Sequence, residues 1–119
     1  MRESVPTETV AYKIVTKEQL AQLLTAGKFV GAPVDIADGY IHLSTAGQVR
    51  DTLDKHFAGQ TGLHILAVNL KPLGESVRWE VSRGGALFPH VYGDLPLSAI
   101  RAQGPVELDE TGQIRLPTA

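Results

Sequence analysis

The sequence predicts one α+β domain in which two early helices pack against a largely antiparallel sheet. Strand-like and helix-like patterns alternate twice in the first half of the chain, and strand-like patterns separated by turns follow. The 119 residues, 43% of them hydrophobic, suit one modest core, and the 12 Gly and 7 Pro do not cluster into a linker. We expect a single domain over residues 1–119, with its core at about residues 10–116 and residues 1–8 as a flexible tail.

The first strand is predicted at residues 10–16, VAYKIVT, because the segment is rich in β-branched side chains. Its side chains alternate between two faces, with Tyr12 on one face and Lys13 on the other. Thr16 and Gln19 then form a capping-box pattern that opens a helix.

The first helix is predicted to end at Gly27, after leucines at helical spacing. The following residues, 28–38, contain Gly31, Pro33 and Asp35 and are predicted to form a loop.

The stretch DGYIHLST, residues 38–45, is the first with chemical content. Alternation along a strand puts two apolar residues on one face and three polar or aromatic residues on the other. The latter are Tyr40, His42 and Ser44. Thr45 and Gln48 repeat the capping box, so a second helix is predicted from there to Gly59. The polar strand end therefore meets a helix N-terminus, which favours an anion.

The second half of the chain reads as strands and turns. Residues 63–70 are apolar on both faces, as in a central strand, and residues 77–81 alternate strictly. Residues 83–96 are predicted to be mostly irregular, although Phe88, His90 and Tyr92 lie there. A short strand at residues 98–102 and a closing hairpin at residues 106–116, with Gly112 in its turn, complete the prediction.

Composition excludes several functional classes. The net charge is −2 and the 11 Lys and Arg are scattered among 13 Asp and Glu, so no DNA partner is expected, although a small anionic ligand is compatible. Without cysteine there is no disulfide, thiol nucleophile or Cys-ligated zinc. The polar start and the short apolar runs predict no secretion signal and no membrane span, and hence a cytoplasmic protein. Serine-hydrolase, Walker and dinucleotide-fold motifs are absent.

Two of the four histidines, His42 and His90, are candidate site residues. For either one the alternative is a packed or surface histidine, but His42 ends a polar stripe beside a helix start. His42, His90, Glu80 and Asp38 are possible metal ligands. No pair has zinc spacing and no H-E-x-x-H occurs, so no metal site is predicted.

Glu80 follows Trp79 in the alternating segment VRWEV, and two interpretations stay open for it. It is either an exposed carboxylate paired with a neighbouring cation, or a carboxylate in a cleft that stabilises a developing positive charge. If the segment FPHVYG is extended, His90 and Tyr92 share a face, as Tyr40 and His42 do.

Four segments in order, YKIVTKEQ, DGYIHLST, VRWE and FPHVYG, resemble the bacterial domain-of-unknown-function family 952, which has no established activity. The likeness covers roughly residues 10–100. More distantly, the order of strand, helix ending in GKF, and IHLS running into a helix resembles the ADP-ribosyltransferase superfamily. Its RNA 2'-phosphotransferase branch carries a similar His-x-Ser strand end.

The superfamily resemblance implies a split antiparallel sheet that grips NAD in a cleft without a metal, with NAD as substrate and no tightly bound cofactor. Glu80 would be the carboxylate that stabilises an oxocarbenium-like ribose, with His42 and His90 as the other catalytic residues and His90 in acid–base chemistry. The substrate-binding residues implied are Tyr12, Lys13, Tyr40, Ser44, Thr45 and Tyr92.

The leading hypothesis is thus an ADP-ribosyltransferase-like transferase that binds NAD or a related nucleotide and acts at its ribose. One alternative is a non-catalytic module that binds a small ligand or a protein through the aromatic segment at residues 88–92. Another is a phosphohydrolase of small metabolites.

Overall fold

Antiparallel pairing organises the computed structural model, which describes residues 8–117, into two three-stranded sheets and one two-stranded sheet. One three-stranded sheet has the order β1 (Val10–Val15), β4 (His64–Asn69) and β8 (Ile100–Pro105), and the other has the order β3 (Ile41–His42), β6 (Leu87–Val91) and β5 (Val77–Val81). In the two-stranded sheet, β2 (Lys28–Phe29) pairs with β7 (Leu95–Pro96). The two larger sheets meet where Tyr12 N–H donates to the Ser44 carbonyl at 2.7 Å and Ser44 N–H donates back at 2.9 Å. The first strand and the strand after DGY are therefore neighbours. The fold is a mixed helix and antiparallel-sheet domain, as the α+β prediction states.

The elements follow one another closely along the chain. The strands are β1 (Val10–Val15), β2 (Lys28–Phe29), β3 (Ile41–His42), β4 (His64–Asn69), β5 (Val77–Val81), β6 (Leu87–Val91), β7 (Leu95–Pro96) and β8 (Ile100–Pro105). The helices are α1 (Lys17–Ala26), α2 (Pro33–Asp38) and α3 (Val49–His56). Short 3-10 segments span Lys71–Ser76, Arg83–Gly85 and Leu97–Ala99. Residues 1–7 of the predicted tail lie outside the described residues.

The first helix is confirmed with both of its predicted ends. Thr16 Oγ1 accepts from Gln19 N–H at 3.1 Å, and Gln19 Oε1 accepts from Thr16 N–H at 2.9 Å. This reciprocal bonding satisfies two N–H groups that the first helical turn leaves free. Gly27 ends α1 in the left-handed region, with φ of 77°.

The predicted loop at residues 28–38 is wrong, because it contains β2 and the six-residue helix α2. Pro33 occupies the first turn of α2, where its missing N–H costs no hydrogen bond, and Gly39 ends the helix with φ of 88°. Pro33 and Gly39 thus mark the start and the end of a short helix, where the sequence had suggested a loop.

The second predicted helix begins later and ends earlier than expected. Only half of the capping box forms, since Gln48 Oε1 accepts from Thr45 N–H at 3.0 Å, and residues 46–48 form a turn. Gln48 Nε2 also donates to the Leu87 carbonyl, at 2.8 Å. This contact ties Gln48 to β6, and regular α3 starts only at Val49.

The irregular segment predicted at residues 83–96 is also corrected. Leu87–Val91 is β6, the middle strand of its sheet, paired with β3 and with the confirmed strand β5. Pro89 lacks an N–H, and a proline is unfavourable in a central strand. Its carbonyl nevertheless accepts from Leu43 N–H at 3.0 Å, so the pairing with the chain after β3 survives.

The end of the chain largely follows the prediction. The strand predicted at residues 98–102 starts later, because Leu97–Ala99 is a 3-10 turn and β8 begins at Ile100. The closing hairpin is confirmed by the Leu108–Ile114 bridge, and Gly112 sits in its turn with φ of 83°.

Two apolar clusters sandwich the central strand β4. Ile65 belongs to the cluster beneath α3, whereas Leu66 and Val68 belong to the larger cluster that includes Leu23 of α1 and Val91 of β6. The centre of β4 is buried on both faces, as the apolar pattern at residues 63–70 predicts. Within residues 8–117, the helices are all too short and polar to cross a bilayer.

Candidate functional site

The candidate site lies on neighbouring strands of the β3-β6-β5 sheet. His42 and His90 are direct partners in the antiparallel register of β3 and β6, and their ring centroids are 5.4 Å apart with the rings edge-on. Antiparallel pairing thus joins two segments that are distant in the chain. Each of the two imidazoles contacts a carboxylate through Nδ1.

The first of these carboxylates is Asp35 on α2. Its Oδ1 is 2.6 Å from His42 Nδ1 and accepts from His42 N–H at 3.1 Å, and its Oδ2 accepts from Ala32 N–H at 2.7 Å. Lys13 Nζ of β1 lies 3.0 Å from the same Oδ2. Burial by itself raises the pKa of Asp35, but the hydrogen bond from His42 and the charge of Lys13 outweigh it and hold the pKa at about 2.

Lys13 is buried behind Asp35 and 6.0 Å from the centre of the Phe29 ring. Burial lowers the pKa of Lys13, and the charge of Asp35 opposes that effect. A buried cation and a buried anion in contact each offset the desolvation of the other. Lys13 therefore supports the carboxylate from the protein interior.

Asp35 was absent from the predicted site because its segment was interpreted as a loop. It is the third residue of α2, where a carboxylate accepts from the N–H that precedes the helix. Gly31, with φ of 122°, allows the close approach, since a Cβ at this position would meet Asp35 Cβ at 3.0 Å. The signal in the sequence was Pro33, two residues before Asp35 and followed by Gly39.

The second ring nitrogen of His42 contacts a second carboxylate, with Nε2 3.0 Å from Asp38 Oδ2. An ionised carboxylate only accepts hydrogen bonds. Both contacts of His42 are therefore hydrogen bonds when its ring carries a proton on each nitrogen.

The second histidine–carboxylate pair joins β6 and β5. His90 Nδ1 lies 2.7 Å from Glu80 Oε1, and the Tyr92 hydroxyl donates to the same oxygen at 2.8 Å. These two hydrogen bonds lower the pKa of Glu80, the bond from His90 contributing most, and the bond from Tyr92 raises the pKa of the Tyr92 phenol. Glu80 is thus a partly exposed carboxylate that contacts an imidazole and accepts from a phenol.

Tyr40 connects the two pairs. Its ring stacks on His90, with centroids 4.2 Å apart and 24° between the planes, and it contacts His42 at 4.7 Å and Tyr92 at 5.1 Å. Burial, Asp38 and Glu80 all raise the pKa of Tyr40. The Arg78 guanidinium lies 4.7 Å from the centre of the Tyr92 ring.

The structure brings together most of the predicted site residues, namely Tyr40, His42, Glu80, His90 and Tyr92, with Lys13 behind Asp35. Three others lie elsewhere. Tyr12 packs against the apolar cluster beneath α3, and Ser44 is buried with its hydroxyl 2.8 Å from that of Thr52 on α3. The Thr45 N–H donates to Gln48.

Within the described part of the chain, no three histidine, aspartate or glutamate side chains are grouped so that they could hold a metal ion. A groove of about 470 Å³ lies beside α1 and β2, lined by residues that include Ala26, Phe29 and Val30. Its lining contains none of the histidine–carboxylate residues.

The comparisons with known proteins agree on the fold. A family model described as "Protein of unknown function (DUF952)" matches residues 14–103. A crystal structure of protein CC0527 from Caulobacter crescentus is 43% identical, has a TM-score of 0.82, and aligns over 90% of this chain and 94% of that chain. The solution NMR structure of CC0527 is 43% identical, with a TM-score of 0.76 over 90% of this chain and 91% of that chain. None of the curated proteins matches the chain.

Proposed function

The chain belongs to the DUF952 family, and from its site geometry we propose that it binds a nucleotide sugar of the NAD type and acts at the ribose. The observation that carries this proposal is the convergence of two histidine–carboxylate pairs on one stretch of sheet. The joining of β1 to the end of β3 supports it too, since the ADP-ribosyltransferase resemblance implies that these two strands flank the ligand.

Glu80 is the proposed catalytic carboxylate. Ribosyl transfer develops positive charge on the sugar, and a fixed carboxylate stabilises that charge best when its position does not depend on the reaction. Glu80 is held by His90 and Tyr92 and keeps 37% of its side chain exposed. It is therefore both oriented and accessible.

His42 is proposed to hold the ribose or phosphate oxygens, because its side chain is 29% exposed and its Nε2 faces only the exposed Asp38 among its ion pairs in the described residues. His90, whose side chain is 3% exposed, holds Glu80 in this proposal instead of acting as acid or base. Tyr40 and Tyr92 supply aromatic surface for the base or the nicotinamide ring.

The charges near the site favour ribosyl chemistry over phosphate hydrolysis. Asp38 and Glu80 are exposed carboxylates, whereas Lys13 is buried and bound to Asp35. The Arg78 guanidinium lies over Tyr92. A phosphohydrolase needs an excess of cations or a metal around the transferred group. Negative charge around the reacting centre suits a cationic transition state instead.

The test titrates the protein with NAD and with ADP-ribose and measures binding by calorimetry and NMR. A second assay measures the release of nicotinamide. We expect binding in the micromolar to millimolar range, as is ordinary for such substrates. Glu80→Gln should bind ligand but release nicotinamide at least about 100-fold more slowly, and His42→Ala should bind more weakly. The matched controls are the exposed residues Glu110→Gln and His56→Ala, which should behave as wild type.

Absence of binding to either ligand at millimolar concentration would refute the proposal. Binding with equal turnover in wild type and Glu80→Gln would refute the catalytic role of Glu80.

A second candidate, a non-catalytic binding module, is favoured by the groove beside α1 and β2 and by the exposed apolar side chain of Val30 in its lining. Val30→Asp separates the two candidates. It should leave NAD binding unchanged if the histidine–carboxylate pairs form the ligand site, and it should abolish ligand capture if the groove does.

A further inference from the structure

The side chain least expected from its surroundings is Asp35. It is a fully buried carboxylate on a six-residue helix, and it accepts from two backbone N–H groups and contacts Lys13 and the His42 ring. Burying a charge is costly unless it is paired and hydrogen-bonded. A stable core alone does not require this arrangement, since an apolar residue of similar size would fill the space.

We propose that Asp35, backed by Lys13, is the positioning residue of His42: it keeps the proton on Nδ1 of the imidazole and turns Nε2 toward the ligand. The role rests on the proposed function only for the identity of the ligand.

The geometry supports this role from both sides of the carboxylate. Oδ1 contacts both the backbone N–H and the Nδ1 of His42, so the ring orientation is fixed at two points. Oδ2 is held by Ala32 N–H and by Lys13 Nζ. These donors keep the carboxylate ionised and acceptor-only, and its partner Nδ1 must therefore be the donor.

With Nδ1 protonated and bound to Asp35, Nε2 is the ring nitrogen that can bind a ligand. Asp38 Oδ2 contacts it at 3.0 Å, and the Asp38 side chain is 45% exposed. A ribose hydroxyl in the place of Asp38 would donate to Nε2 in this tautomer, and a phosphate oxygen would accept from Nε2 when the ring is protonated on both nitrogens. The other groups that face His42 are the Tyr40 ring and, edge-on, His90, which is itself bonded to Glu80.

The first experiment measures the proton position directly, by long-range ¹H–¹⁵N NMR of the imidazole rings of the full chain from about pH 5 to about pH 9. We expect the neutral form of His42 to be the Nδ1–H tautomer in the wild-type protein. Nε2–H as the neutral form would overturn the proposal. This measurement needs neither a variant nor a ligand, so its result is independent of whether the protein binds NAD.

Two variants test whether Asp35 fixes the tautomer. Asp35→Asn replaces one carboxylate oxygen by an NH₂ group, a donor that would face the other hydrogen-bond donors around Asp35, so His42 should change to the Nε2–H tautomer. Asp38→Asn, the matched change at the other ring nitrogen, should keep Nδ1–H. A folded Asp35→Asn protein that retains Nδ1–H would overturn the proposal. If Asp35→Asn does not fold, Lys13→Met with Asp35 intact serves in its place. Without the charge of Lys13 the Asp35 carboxylate is less stabilised in its ionised form, so neutral His42 should show a larger share of the Nε2–H tautomer than it does in the wild-type protein. An Asp38→Asn protein that loses Nδ1–H while Lys13→Met keeps it unchanged would overturn the proposal.

A titration with ADP-ribose then separates this inference from the proposed function. We expect the Nε2 resonance of His42 to shift more than the Nδ1 resonance. If ADP-ribose leaves every resonance unchanged, the proposed function fails, whereas a wild-type Nδ1–H tautomer still supports the positioning role of Asp35. A larger shift at Nδ1 would overturn the positioning role itself.

Discussion

The two histidine–carboxylate pairs are built in opposite senses. In the first pair the carboxylate of Asp35 is 1% exposed and the His42 ring is 29% exposed, whereas in the second the His90 ring is 3% exposed and Glu80 is 37% exposed. The same Nδ1–carboxylate contact thus presents an imidazole in one case and a carboxylate in the other. On the proposed function, the buried partner of each pair positions the exposed partner, and the exposed partner faces the ligand.

The two pairs also differ in what lies behind them. Asp35 has a buried cation, Lys13, and two backbone N–H groups, so its charge is balanced inside the protein. Glu80 has a phenol and an imidazole, which leave its charge close to the surface. A carboxylate meant to meet a developing cation must keep its charge uncancelled, whereas one that orients a ring need not.

The largest expected effect is a difference between the two pairs in how much each carboxylate contributes to the free energy of unfolding. Asp35→Ala should lower the free energy of unfolding by about 3–5 kcal/mol, because it leaves Lys13 buried without a counter-ion and two backbone N–H groups without an acceptor. Glu80→Ala should change it little, since the Glu80 side chain is exposed. Urea denaturation measures both. Equal losses would contradict the contrast between a buried and an exposed carboxylate.

The acid side of the stability curve should report on Asp35. Its pKa is about 2 in the folded protein and 3.8 as the ordinary value, so the stabilisation is present above pH 3.8 and is lost as pH falls towards 2. The loss should be on the order of 2 kcal/mol. Denaturant titrations at successive pH values measure it. Asp35→Asn should remove most of this loss of stability in acid, whereas Glu80→Gln should retain most of it. An unchanged loss of stability in Asp35→Asn would contradict the prediction.

A smaller effect tests whether the two pairs alone face the ligand. Ser44→Ala removes the hydroxyl contact with Thr52 and should cost about 1 kcal/mol of unfolding free energy. Because Ser44 is buried against α3, affinity for ADP-ribose should stay as in wild type. Calorimetry and urea denaturation give the two quantities. A Ser44→Ala protein with normal stability and weakened binding would restore Ser44 to the ligand site.

The smallest effect is spectroscopic. The hydrogen bond to Glu80 raises the pKa of Tyr92, so Glu80→Gln should lower it towards the ordinary value of about 10. Ring-carbon NMR of the tyrosines across alkaline pH follows the Tyr92 phenol, and Tyr12, which packs in the cluster beneath α3, is the internal control. An unchanged Tyr92 titration in Glu80→Gln would mean that the phenol does not hold the carboxylate in solution.

Local patterns predicted the parts of the fold that local interactions fix. The ends of α1 followed from the capping box of Thr16 and Gln19 and from Gly27, because those contacts span only a few residues. The burial of β4 on both faces followed from its unbroken apolar run. The prediction failed for α2, where Pro33 was interpreted as a loop residue, and for β6, which lies in a segment that was predicted to be mostly irregular.

Site prediction divided in the same way. Tyr40, His42 and Glu80 stood out in strand-like segments. His90 and Tyr92 stood out in a segment predicted to be mostly irregular, and the structure brings all five together. Asp35 did not stand out, since one aspartate after a proline looks like any turn residue. Ser44 did stand out by alternation with His42, but its side chain contacts α3.

By itself the sequence determined the helix α1 with its cap, the strands β1, β4 and β5, and which segments carry imidazoles and carboxylates. The tertiary structure decided which partner of each pair is buried. That choice depends on the register of β3 with β6 and on the placement of α2 against Lys13, contacts between segments up to 48 positions apart as counted from His42 to His90. Desolvation and pairing of charges are properties of the packed molecule, and no periodicity along the chain encodes them.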